Sequence, residues 1–519
     1  MIRRSGREIV LAFAVIGAAL YSCFLPLWEG FDEPFHYAYV QSLSTGHQFP
    51  VLGRATISDE IYQSFNDVPL PRLLSVTLPG TLSFEDWFHV STEEKSQRVA
   101  RLKTVSPELR YKQSNLQNYE AQQAPLAYLL LTPFDIALSH LQLRWRILML
   151  RLIVSVATAL LLYFVVRKLS VLLNVTGPFA LATLSCVFAS QMLWATIAHV
   201  GNDWLSVPLT LCFLTWLIAF TKSHGSRDLL ILAVLLSLGL LTKAYFLTFA
   251  PVFLARLGVQ LIRRKSHAAV WLALLIPVVT AIPWYIHNEF LYGSFTGTQQ
   301  AVAGIGPKEA LSAFPQIPWL SSTLAFLHWS LWTGNWSFLA FSKTTLNVQL
   351  ILIGAALVLF FARFRQFTEA EWWGIAACAC FIAGLVYQTC VTYVHTQGAS
   401  LFAEPWYWQG IVCFLWVLGF KGLEQNRGVG RVLAALTVLV TGWVAFVTYV
   451  AKLFPLYGGG FQRATLTRVW AWWFAHPTQD LRSVTLAPVS ILYILLTLFL
   501  LLLAVQTALI IRGFSRSGR

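Results

Sequence analysis

An all-α polytopic membrane protein, a bundle of about twelve transmembrane helices with a long loop after the first, is the fold this sequence predicts. Three observations predict it. The 519 residues are 57% hydrophobic and only 12% charged, and the mean hydropathy of +0.62 is too high for a soluble chain. Apolar windows of roughly 20 residues, the length that crosses a hydrocarbon core of about 30 Å, recur from Ile9 to Leu503. Basic residues stand in short clusters at the ends of those windows. That pattern orients spans, whereas a nucleic-acid partner selects a continuous basic face. The net charge of +14 therefore reflects topology, and no nucleic acid is expected to bind.

The first window, Ile9 to Leu27, follows Arg3, Arg4 and Arg7. Its apolar core is longer than the roughly 7 to 15 residues of a cleaved signal peptide, and no A-x-A site follows, so it reads as a retained signal anchor with its N-terminus in the cytoplasm. Residues 29–143 then form the first outer loop, with juxtamembrane helices. Asp32 opens a short amphipathic helix that Gly46 and Pro50 close. Ser91 to Lys103 reads as a charge-laced, solvated helix. The apolar run from Leu126 to Leu138 is short for a span and suits the interface.

A second span runs from Arg144, Arg146 and Arg151 to Arg167-Lys168. Further basic clusters follow at Lys222 to Arg227, Arg263 to Lys265, Arg363 and Arg365, Lys421 to Arg431, and Arg512 to Arg519. If every cluster is cytoplasmic, a pair of spans fits each interval and both termini lie inside. The intervening outer loops are rich in Trp and Tyr, as headgroup-level segments should be. The seven cysteines lie within or beside apolar segments, so neither a disulfide framework nor a zinc site is implied. The chain reads as one membrane domain over residues 1–519 without a separate soluble domain.

The residues able to do chemistry collect in the outer loops. Asp32 and Glu33 are adjacent carboxylates just beyond the first span, and Asp32, His36, Tyr39 and Leu43 fall at i, i+4, i+7 and i+11, one helix face. Helix capping explains an Asp-Glu-Pro start on its own, while the functional reading makes Asp32, or Glu33 in second place, a general base tuned by His36. Lys243 interrupts an apolar run from Leu229 to Leu254. A lysine at mid-span costs about 2.5–3.5 kcal/mol, so the run reads as two short spans with Lys243 at their outer turn, either snorkelling or contacting a lipid phosphate. Arg144, Arg146 and Arg151 are candidates for the same anionic group, with interfacial anchoring as the alternative. His199, Asn202 and Asp203 mark another outer turn, where the Asn-Asp pair caps the next span or contacts a sugar.

Taken together, Phe31-Asp32-Glu33-Pro34-Phe35-His36-Tyr37, Gln123-Ala124-Pro125-Leu126, Asn202-Asp203, Leu241-Thr242-Lys243 and Asn288-x-x-x-Tyr292-Gly293 resemble, in order along most of the chain, the GT-C class of integral membrane glycosyltransferases. Protein O-mannosyltransferases and the aminoarabinose transferases that modify lipid A are its familiar members, and uncharacterised bacterial relatives look closer. The resemblance implies a GT-C-like bundle in the bacterial inner membrane with a periplasmic active site. It further implies a polyprenyl-phosphate-linked sugar donor and a hydroxyl acceptor on a glycan, lipid or protein. Asp32 and Glu33 match the class's catalytic acidic pair, and Lys243, Arg144, Arg146 and Arg151 would contact the donor phosphate. His36, Tyr39, Gln123, His199, Asn202, Asp203, Asn288 and Tyr292 would support the substrates. No cofactor is required, although the two carboxylates are able to hold a divalent metal. Relatives often carry a second proline in place of Ala124 and an arginine near Gln397-Gly398.

Two other classes fit the span count. A twelve-span secondary transporter would place ionisable residues or broken helices near the midplane, whereas the spans here are nearly free of charge. A non-catalytic lipid or polysaccharide assembly protein would keep the architecture without the chemistry.

Overall fold

The structure, a computed structural model, describes residues 2–46, 48–263, 267–337, 340–459, 465–475 and 478–516. Among these, nine helices are long and apolar enough to cross a membrane, and the bent pair Gly177–Ala189 and Gln191–Ile197, broken at 57°, makes a tenth. The sequence reads about twelve. The difference lies in Ser226–Leu240, of 15 residues, and Gln409–Gln425, of 17. Hydropathy counts both as spans, and both pack in the bundle, but each falls short of the 19 or more residues of the nine. The expected break in the Leu229 to Leu254 run falls where Leu240 ends one helix and Lys243, extended at φ −157°, precedes the next.

The helix Asp203–Ser223 is buried almost throughout and forms the axis of the bundle. Around it pack Leu143–Leu172, Ser226–Leu240, Glu369–His395 and Gln409–Gln425, while Ile2–Phe24 packs between Leu143–Leu172 and Val489–Arg516. The turns that carry the basic clusters meet at one end. There Arg363 reaches the Gln425 carbonyl at 2.7 Å, Arg263 lies 3.4 Å from Glu369, and Thr176 bonds Glu424.

The long first loop covers the opposite end. Ser58, Ser83 and Ser91 each accept the backbone N–H three residues on, and so start the short helices Asp59–Ser64, Phe84–His89 and Thr92–Thr104 where sequence puts a capping serine. Thr56–Ser58 pairs antiparallel with Gln113–Gln117, and Pro69–Leu70 pairs parallel with Leu82–Ser83. The apolar helix Leu126–Ala137, of 12 residues, is too short to cross and packs on the helix Glu33–Gly46.

Buried ion pairs dock this loop onto the spans. Arg146 bonds Glu60 and lies 3.7 Å from Asp135, which also takes Arg110 and the Tyr37 hydroxyl. The far edge is tied by Lys95 to Asp480 at 3.0 Å and Trp87 to Ser483 at 3.1 Å. A charge removed from water needs its partner, so such pairs hold the loop in one position.

Glu29 anchors the loop at its root. Its Oε1 accepts the Ser337 N–H at 2.9 Å and the Tyr457 hydroxyl at 3.1 Å, and Tyr457 also accepts from Asn335. Burial, only partly offset by these donors, pushes its carboxyl up to about 8. In the unfolded chain the group ionises near its ordinary value of 4.5, so between these values the folded state binds more protons. The corresponding stability is present at low pH and lost as pH rises towards 8. Glu29→Gln is therefore expected to flatten the fall in melting temperature between mildly acidic and mildly alkaline detergent solution. A variant that keeps the whole wild-type slope would show Glu29 ionised in the folded protein.

Candidate active site

The bend between the first helix and Glu33–Gly46 sets the direction of every group that follows. Asp32 has φ +53°, a left-handed conformation that Asp tolerates better than most residues. Its carbonyl accepts the N–H groups of Phe35 and His36 at 3.0 and 3.1 Å, so the backbone begins the helix and the carboxylate is left for other work. The Tyr119 hydroxyl donates to Oδ1 of Asp32, and no hydrogen bond reaches Oδ2 among the described residues. Capping therefore does not account for this side chain.

Glu33 turns the other way. Arg151 grips both its oxygens, with Nε at 2.7 Å from Oε1, and the Val200 N–H adds a bond of 3.0 Å. Two further Arg151 donors go to the carbonyls of Leu25 and Pro26. The two neighbouring carboxylates thus have no common partner. Among the described residues no three His, Cys, Asp or Glu side chains gather as a metal-ligand set.

Asp32 shares its surroundings with groups from four other segments. Lys243 donates to Asp203 Oδ1 at 2.6 Å and lies 4.5 Å from the centre of the Tyr407 ring. An ammonium has three donors, so two remain without an acceptor among the described residues. Glu120 stands next to Tyr119 in a turn that the Asn118 side chain closes. Its carboxyl accepts from Gln123 at 2.6 Å and from Gln299 at 3.3 Å, and Gln123 in turn accepts from Asn202 at 3.2 Å. Glu404, in the turn before the helix Gln409–Gln425, interacts electrostatically with Asp32 and Lys243. Its carboxyl has no hydrogen bond among the described residues.

Four acids, the buried Asp203 and Glu120 and the half-buried Asp32 and Glu404, stand near one lysine and do not all ionise readily together. Burial pushes Asp32 up to about 6, against the Tyr119 hydrogen bond and the Lys243 charge, which pull it down. Burial and then the Asp32 charge push Glu404 to about 7 and Glu120 to about 8. With the Lys243 charge and the Tyr119 donor both holding its ionised form, Asp32 is the candidate base among neighbours whose carboxyls burial pushes up. Burial also lowers His36 and His199 below the ordinary histidine value, so both rings are neutral.

The other sequence-derived candidates divide into two groups. Gln123, Asn202 and Asp203 join the Asp32 and Lys243 surroundings, and Asn202 does so through Gln123, with no side-chain cap on the span it precedes. His36 bonds the Tyr128 hydroxyl at 2.8 Å, while Tyr39 stacks on the Tyr128 ring at 4.1 Å, so their helix face docks on Leu126–Ala137. His199 packs edge-on to Phe31 and lies over Gly30 and Gly201, where any Cβ would strike or crowd its ring. Tyr292 accepts the Leu52 N–H at 3.1 Å, and Asn288 is fully buried against Gly297 with neither amide atom bonded. Arg144 donates to the Leu486 carbonyl, Arg146 to Glu60 and Arg151 to Glu33, so all three guanidiniums are engaged within the protein. Sequence reasoning missed Tyr119, Glu120, Gln299, Glu404 and Tyr407. The first two stand just before the Gln123 motif, and Glu404 is a lone acid in a Trp- and Tyr-rich turn, which were the available signals.

Fold and site together define an all-α polytopic membrane protein with an acid–base cluster at the loop-covered end of its bundle. No protein-family model matches the sequence, and no curated protein matches it. Among solved structures, the chain is similar to the crystal structure of ArnT from Cupriavidus metallidurans bound to undecaprenyl phosphate. That similarity covers 97% of this chain and 77% of the other, with a TM-score of 0.45 and 12% sequence identity.

Proposed function

We propose that this protein is an inverting glycosyltransferase that moves a sugar from a polyprenyl-phosphate donor to a hydroxyl acceptor. Asp32 is the general base, at the periplasmic face of the bacterial inner membrane. The observation that carries the reading is the Asp32 carboxylate, with one oxygen unbonded among the described residues, near the charge of Lys243, which spends one donor on Asp203, at the end of the bundle away from the basic turns. By the positive-inside rule that end is the non-cytoplasmic one, and both termini are cytoplasmic.

The chemistry follows from these groups. The acceptor hydroxyl attacks the anomeric carbon while Asp32 takes its proton, a contribution worth roughly 10²- to 10⁴-fold. Polyprenyl phosphate leaves, and the charge that gathers on it is met by the two free N–H bonds of Lys243. The aromatic Tyr407 and the surrounding apolar spans keep water from screening that contact. Glu120 and Glu404, whose carboxyls burial and the Asp32 charge push up, add less charge beside the leaving phosphate than free carboxylates would.

The test is made in proteoliposomes loaded with polyprenyl-phosphate sugars and a mixture of hydroxyl acceptors. Release of polyprenyl phosphate that depends on the acceptor supports the reading. Accumulation of a solute without any release would instead mark a transporter.

A further inference from the structure

The Asp32 carboxylate has two oxygens in different surroundings, and the difference assigns them different tasks. Oδ1 is occupied by the Tyr119 hydroxyl, and Oδ2 carries no hydrogen bond among the described residues. Tyr119 is itself held at three points. Its ring packs on Phe35 with centroids 4.1 Å apart, its carbonyl accepts from Gln299 at 2.8 Å, and its hydroxyl meets Asp32. Phe35 lies on the helix that Asp32 begins and Gln299 on a short helix far along the chain, so the hydroxyl is fixed relative to the carboxylate from both sides.

Resting on the glycosyltransferase reading, we infer that Tyr119 is a positioning residue: by occupying Oδ1 it orients Asp32 and leaves Oδ2 as the oxygen that takes the acceptor's proton. In that step the acceptor oxygen bonds to the anomeric carbon, the bond from that carbon to the phosphate oxygen breaks, and its electron pair leaves on polyprenyl phosphate. The proton passes from the acceptor hydroxyl to Oδ2. Tyr119 gives up no proton, because burial and then the Asp32 charge raise its hydroxyl well above the ordinary tyrosine value. A donor held on the ionised form favours that form, so Tyr119 also sets the pH at which the base becomes available.

Tyr119→Phe removes the hydroxyl and keeps the ring on Phe35. The protonation of Asp32 can be followed in the folded protein, without substrate, by the infrared carboxyl band that Asp32→Asn abolishes. The expected result is a midpoint raised by roughly one unit, the size set by one charge-assisted hydrogen bond. The acid limb of kcat/KM moves up by the same amount, and kcat below the wild-type midpoint falls roughly tenfold. It recovers at alkaline pH, with KM for the donor unchanged. An unmoved midpoint and pH profile in Tyr119→Phe overturn the inference. A fully active Asp32→Asn, by contrast, removes Asp32 as the base and with it the glycosyltransferase assignment.

Discussion

Asp32→Asn is expected to lower sugar transfer roughly 10²- to 10⁴-fold, the range of a lost general base, in a protein that folds and melts as the wild type does. The separation of the two effects comes from the backbone. Asn accepts the left-handed φ of +53° as readily as Asp, and its amide oxygen still accepts the Tyr119 hydroxyl. Nothing that holds the bend changes, and what is lost is the carboxylate's proton affinity and its charge near Lys243. Transfer is measured as initial release of polyprenyl phosphate, and folding as the melting curve in detergent. A folded variant with wild-type transfer would mean that the proton goes elsewhere. Glu33→Gln lacks this separation, since Glu33 is the counter-charge of the fully buried Arg151.

Lys243→Met should cost both stability and transfer. The Lys243 and Asp203 side chains are 11% and 5% exposed, and breaking a buried pair by removing one partner costs roughly 3–5 kcal/mol because the other charge is left uncompensated. Adding Asp203→Leu removes that orphan, so the double variant should regain much of the melting temperature. It should not regain transfer, because the donors assigned to the leaving phosphate are gone. Should the double variant recover transfer together with stability, Lys243 would be an ion-pair partner and nothing more.

How much of this was legible depended on whether the signal was local. The spans were readable because hydropathy is summed over one segment, and the interruption at Lys243 was readable because one cation in an apolar run has few explanations. The helix from Glu33 to Gly46 was readable from its start and stop residues. What the sequence hid was pairing at long range. Arg151 looks like a third member of a basic cluster with Arg144 and Arg146, and its carboxylate is 118 residues away. Glu33 looks like a twin of Asp32, yet one faces a buried arginine and the other a tyrosine from the far side of the loop. Glu120 and Glu404 look like ordinary loop acids until the fold brings them beside Asp32. The exact number of spans was less legible, because hydropathy does not show where a helix stops or breaks.

The way the first loop is fastened bears on how the protein is made. Glu29, Trp87 and Lys95 leave the ribosome early, yet their partners Tyr457, Ser483 and Asp480 stand close to the end of the chain. Contacts so far apart in sequence form late, so the nascent loop must wait, with an acidic side chain and several donors unmatched, until nearly all later segments are inserted. A translation product that stops before Tyr457 would display that unfinished region to quality-control proteases, however well its early helices had entered the bilayer.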